Sequence, residues 1–223
     1  MLPWARDTTH RSATCSTHGR GVTEPSTVLS DGALGLGAAL LGLRLLFRVS
    51  SARAERDPAR WWPAVFLLNA LGALLGAVWH GWHEALGPAR AADLWSAVLL
   101  VLGASNFFLV VASARVWRRP LLALAAAQLA LYALWMGSHE DYRWVLADSA
   151  LSLAVALAQH LYAWACERRA GAGWIVAGLL TAVAGAALQS AGVSLHERFN
   201  RQDLYHTVEL CALALIYRGA RAS

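Results

Sequence analysis

The chain has 223 residues, 57% hydrophobic and only 15% charged, whereas a soluble domain carries roughly 25% charged residues. Its apolar residues come in long blocks, which excludes a soluble globular protein and identifies an integral membrane protein with one membrane domain. The net charge of +5 would suit a nucleic-acid partner, but the arginines are distributed as membrane topology requires, so no nucleic acid is expected as a partner. The first 26 residues or so are polar and lack the apolar core of a signal peptide, so residues 1–26 read as a flexible tail.

Seven membrane helices are predicted in chain order, at about 27–47, 61–82, 93–115, 120–137, 143–165, 172–192 and 203–218, followed by a short tail at 219–223. Each has about the 20 residues that cross a bilayer. The fold class expected is all-α, a polytopic seven-helix bundle. Trp61, Trp62, Trp79, Trp82, Trp95, Trp117, Trp135, Trp144, Trp164 and Trp174 lie near the proposed ends, where indole rings prefer the headgroup level. Pro88 marks a turn, and Pro120 sits where a helix start tolerates proline.

Arginine sets the expected orientation. Arg44, Arg48, Arg53, Arg56, Arg60, Arg115, Arg118, Arg119, Arg168, Arg169, Arg218 and Arg221 fall at the ends of helices one, three, five and seven. The short loops on the other side hold only Arg90, Arg143, Arg198 and Arg201. This asymmetry places the N-terminus outside and the C-terminus in the cytoplasm.

The other polar residues gather at the non-cytoplasmic end. His80, His83 and Glu84 finish helix two, Asp93 starts helix three, and His139, Glu140 and Asp141 follow helix four. Asp148 lies in the second turn of helix five, and Asp203, His206 and Glu209 recur every three residues on helix seven, sharing one stripe. Polar groups within a bundle point inward, pair, and mark a site. His80 and His83 reach one side of helix two, and with His206 they supply three imidazoles, the ligand set of a catalytic zinc site with an open water position. Asp93, Asp148 and Asp203 are candidates to orient them. The competing reading makes HGWH an interfacial turn of polar anchors beside Trp, and Asp148 a structural partner of Arg143 or a Trp. His160 is expected to be a satisfied core or interface histidine. Cys15, Cys166 and Cys211 have no metal spacing, and no phosphate loop or G-x-S-x-G elbow is present.

This pattern resembles the alkaline ceramidase-like superfamily of seven-helix membrane hydrolases, which includes adiponectin-receptor-type and Per1-type proteins. The resemblance covers most of the chain by helix count, but few residues carry it. GAVWHGWH offers His80, or else His83, at the position of the family's second-helix histidine; ARAADLW offers Asp93; RQDLYH offers His206 as the second histidine of the last helix. Gly76 stands where the family has Ser, and Gln202 where it has His, so His83, Asp203 or His196 would have to replace the missing ligand. The resemblance implies a zinc-dependent hydrolase of a lipid amide or ester, with a membrane lipid as substrate. His80, His83, His206 and Asp203 are the candidate metal ligands, and Asp93 and Asp148 the candidate catalytic carboxylates. The alternative is a non-catalytic seven-helix protein, transporter-like or a sensor, with a polar cavity at the non-cytoplasmic end.

Overall fold

The computed structural model describes residues 22–48, 57–196 and 199–222. Most of the predicted tail, part of the basic loop with Arg53, Glu55 and Arg56, and Glu197 and Arg198 lie outside the described residues.

The described residues form seven α-helices: α1 (Pro25–Leu46), α2 (Trp62–Leu86), α3 (Pro88–Ser113), α4 (Arg118–Met136), α5 (Tyr142–Ala165), α6 (Ala172–Ser190) and α7 (Arg201–Ala222). A short 3-10 turn, Pro58–Trp61, leads into α2. α1 to α6 are long and apolar enough to cross a membrane, which makes the chain an integral membrane protein. α7 matches them in length but carries Arg201, Asp203, His206 and Glu209 in its opening turns.

The helix boundaries follow local chemistry. α3 begins at Pro88 rather than near residue 93, because proline at the first helical position gives up an N–H that would have no intrahelical partner. Gly87, at φ 78°, makes the reversal from α2 within one residue, a backbone region open to glycine. Asp141 caps α5 by accepting from the Arg143 N–H at 2.9 Å. α7 starts with a reciprocal cap. Asn200 Oδ1 accepts from the Gln202 and Asp203 N–H groups at 2.7 and 3.1 Å, and Asp203 Oδ2 accepts from the Asn200 N–H at 2.9 Å.

Neighbouring helices make a closed circuit, α1–α2–α3–α5–α6–α7 and back to α1, with α4 outside it against α3 and α5. One apolar core runs through the circuit, with Leu34, Phe66, Leu109, Ala156, Leu179 and Leu213 each contributed by a different helix. A smaller cluster of Leu99, Tyr132, Met136 and Val145 seats α4. Exposed leucines such as Leu40, Leu124, Leu131 and Leu180 suit contact with lipid. α6 and α7 approach most closely through glycines. A Cβ on Gly178 would lie 2.5 Å from Ile216 Cγ1 and 2.8 Å from the Ala212 carbonyl oxygen. Without a hydrophobic drive between helices in lipid, such close backbone packing supplies much of their attraction.

Candidate functional site

The site forms where α1 begins, α2 ends and α7 begins. The segment before α1 is tied to α2 by the Thr23 N–H, which donates to the Gly81 carbonyl at 3.1 Å. That tie brings Glu24 to His80, whose Nδ1 donates to Glu24 Oε2 at 3.0 Å. On α1, Ser30 Oγ lies 2.8 Å from Asp203 Oδ1 and 3.0 Å from His206 Nδ1. On its far side His206 Nε2 lies 3.2 Å from Asp31 Oδ1. His80 Nε2 accepts from the Gln202 side-chain amide at 3.3 Å. Asp31, His80, Asp203 and His206 are all buried.

Each imidazole is thus held at Nδ1 by an oxygen and directs Nε2 toward polar groups within the site. The Ser30 hydroxyl has one proton. When it goes to Asp203, His206 Nδ1 donates to Ser30, and Nε2 is left presenting a lone pair to the Asp31 carboxylate. Two acceptors at that distance require a proton or a cation between them. Asp31 Oδ2 is buried and has no hydrogen-bond partner. Gly76 makes room for it, since a Cβ there would lie 3.3 Å from Asp31 Oδ2.

The structure brings together His80, His206 and Asp203 of the residues singled out from the sequence. Asp203 has both oxygens occupied, by Ser30 and by the α7 cap, so it positions its neighbours. His83 lies flat on Trp79, with ring centroids 4.6 Å apart, and its Nδ1 faces the Trp79 carbonyl at 3.0 Å. Asp93 is exposed on α3.

Asp148 belongs to a separate network between α3, α4 and α5. Its two oxygens accept from Asn106 at 2.7 Å and Gln128 at 2.6 Å, and Gln128 also donates to Ser152 at 3.0 Å. This ties the peripheral α4 to α5. Glu24, Ser30 and Asp31 are not among the residues singled out from the sequence, and Gln202 is named there only as standing in place of the family's histidine. The usable signal was the Ser30–Asp31 pair inside an otherwise apolar helix, because an intramembrane carboxylate needs a partner.

Glu24 lies just before the membrane segment. The hydrogen bond from His80 holds its carboxyl below the ordinary value of 4.5, against burial, which raises it. A depressed folded pKa stabilises above the unfolded value, and that contribution disappears as pH falls through the folded one. Glu24→Gln is therefore expected to lower the melting temperature modestly at pH 7, with the gap narrowing as pH is taken below 4.5. A gap that persists unchanged in acid would assign the effect to packing.

Among the described residues, no three His, Cys, Asp or Glu side chains are grouped as a ready-made metal site. Two imidazoles and a carboxylate are nonetheless ligands that zinc accepts. Asp31 Oδ2 is unpartnered, His206 Nε2 faces Asp31 Oδ1, and Gln202, beside His80 Nε2, stands where a third imidazole could.

Fold and site together define an all-helical integral membrane protein with a buried His/Asp cluster at one end of its bundle. The chain belongs to a family of unknown function (DUF6962), whose model matches residues 26–223. No curated protein and no solved structure matches it.

Proposed function

We propose that the chain is a zinc-dependent integral-membrane hydrolase of a lipid amide or ester, with His80, His206 and Asp31 as the metal-holding residues. The observation that carries this reading is the shared orientation of the two imidazoles. Glu24 and Ser30 occupy their Nδ1 atoms, as oxygen partners commonly do for metal-ligating histidines, and the Nε2 atoms face Gln202 and Asp31. A bound zinc ion would supply a nucleophilic water near neutral pH and polarise the scissile carbonyl. Asp31 would accept a proton through Oδ2, which is unpartnered, and Asp203, through Ser30, would keep the His206 ring in register. Asp93 and Asp148, singled out as catalytic carboxylates, have no contact with this cluster that would support the role.

A second reading rests on the hydrogen bonds that already engage His80, His206 and Asp203 and on the lack, among the described residues, of a ready-made three-ligand group: a non-catalytic membrane protein whose His/Asp cluster is structural or lines a solute path. Metal analysis of wild-type protein from zinc-replete growth separates the two. The hydrolase reading expects stoichiometric zinc and cleavage of an N-acyl lipid amide or a lipid ester. It also expects Gln202→His, which puts an imidazole beside His80, to bind zinc more tightly. Folded protein without metal or hydrolysis would favour the second reading.

We further propose seven spans, with the N-terminus outside and the C-terminus in the cytoplasm, from the arginine asymmetry, and a bacterial inner membrane as their setting, from the resemblance alone. A reporter active only in the cytoplasm should work when fused after Ser223 and stay silent when inserted at the α2–α3 turn at Gly87. The opposite result would invert the orientation.

A further inference from the structure

The end of the bundle opposite the His80–His206 site holds a second group of buried polar side chains. His160 on α5 is 1% exposed, and neither of its ring nitrogens has a hydrogen-bond partner. The sequence alone suggests a satisfied core or interface histidine here. Trp62, the first residue of α2, is also 1% exposed. Its ring centroid lies 5.8 Å from that of His160, and its Nε1–H is unpartnered. Arg115, just beyond α3, is joined through its N–H to Gln159, the neighbour of His160, and its Nε–H is buried and unpartnered. Gln159, next to His160, anchors that stretch by accepting from the Arg115 and Val116 N–H groups at 3.2 and 3.0 Å. Ser113, two residues before Arg115, is fully buried with its hydroxyl unpartnered.

These groups share one chemistry. The Trp62 indole and the Arg115 guanidinium can only donate, a neutral imidazole carries one N–H, and the Ser113 hydroxyl can donate. Buried donors without acceptors are uncommon because each keeps its desolvation penalty. These groups lie near the ends of α2, α3 and α5, and basic pockets between membrane helices suit phosphate headgroups. We propose that Trp62, His160 and Arg115, with Ser113, form a binding pocket for a phosphate-type oxyanion between α2, α3 and α5. The occupant is the phosphate of a membrane lipid or free inorganic phosphate, and Arg115, only half-buried, is its way in. This pocket does not depend on the hydrolase reading, since it shares no residue with the His80–His206 site.

The test uses the full-length protein, its melting temperature measured in phosphatidylcholine vesicles with and without phosphatidylglycerol, and in detergent with inorganic phosphate titrated in. Wild type should gain stability from one of the two ligands. Response to phosphatidylglycerol alone identifies a lipid headgroup, and response to inorganic phosphate identifies the free ion. Arg115→Gln and His160→Phe should each weaken the responding ligand by about tenfold to a hundredfold, as the loss of hydrogen bonds to a charged group predicts. His160→Phe adds a sharp contrast. If His160 is merely an unsatisfied core residue, an apolar ring of similar shape stabilises the protein equally in every condition. That result, or a wild-type response matched by both variants, overturns the proposal. Arg115→Gln decides the matter should His160→Phe fail to fold.

Discussion

His206→Ala is expected to abolish metal binding and any hydrolysis together, and to cost stability. His206 touches α1 twice, through Ser30 at 3.0 Å and Asp31 at 3.2 Å. Its removal leaves Asp31 with neither oxygen partnered and opens a cavity beside Ser30. An orphaned buried group costs about 1–3 kcal/mol, and the truncation adds to that, so a fall of about 3 kcal/mol or more is expected. Stability alone does not distinguish a metal ligand from a structural hydrogen bond, and Asp31→Asn does. It keeps the shape of Asp31, and its amide donates to the His206 Nε2 lone pair. In a purely structural network it should therefore melt at or above the wild-type temperature. In a metal site it should lose zinc and activity, because an amide is a far poorer zinc ligand than a carboxylate. Wild-type metal content in Asp31→Asn would remove Asp31 from the ligand set, and metal-free wild type would remove the site altogether.

The second large effect is expected far from the site. Gly178→Ala places a Cβ 2.8 Å from the Ala212 carbonyl oxygen and 3.0 Å from the Ile216 backbone nitrogen. Backbone atoms cannot rotate away as a side-chain tip can, so α6 and α7 must separate. Overpacking of this kind costs roughly 1–3 kcal/mol, and Gly178→Leu should exceed that. Gly32 on α1 is the control, since a Cβ there meets nothing within 4 Å. Gly32→Ala should be neutral or stabilise by up to about 1 kcal/mol, the helix preference of alanine over glycine. Thermal unfolding of the two variants in one detergent checks both. If Gly178→Ala melts like wild type, the close approach of α6 and α7 is not tight in solution.

Much of the fold was legible because each membrane helix must satisfy its own backbone and present an apolar surface. The apolar blocks, with Trp, Pro, Gly and Arg between them, put the helices within a few residues of their observed ends. The main departure was α3, which starts at Pro88 because Gly87 completes the turn alone. The site was legible in part. The His206 stripe and HGWH were visible as polar residues in apolar surroundings, but His80 and His83, three apart, were equivalent by spacing. The contacts separate them: Glu24 takes His80, and Trp79 stacks under His83.

The sequence by itself determined that this protein is helical, embedded in a membrane and polar at one end of its bundle, because those properties depend on composition and local periodicity. Only the tertiary structure decided which polar residues meet. Ser30 reaches Asp203 and His206 across 173 and 176 positions, and nothing in a local pattern encodes a contact at that range. Close packing of α1 against α2 at Gly76, and of α1 beside α7, brings Asp31 to His206. Asp148 is instead drawn to Asn106 and Gln128, because a carboxylate in an apolar bundle pairs with the nearest donors its own helix can reach.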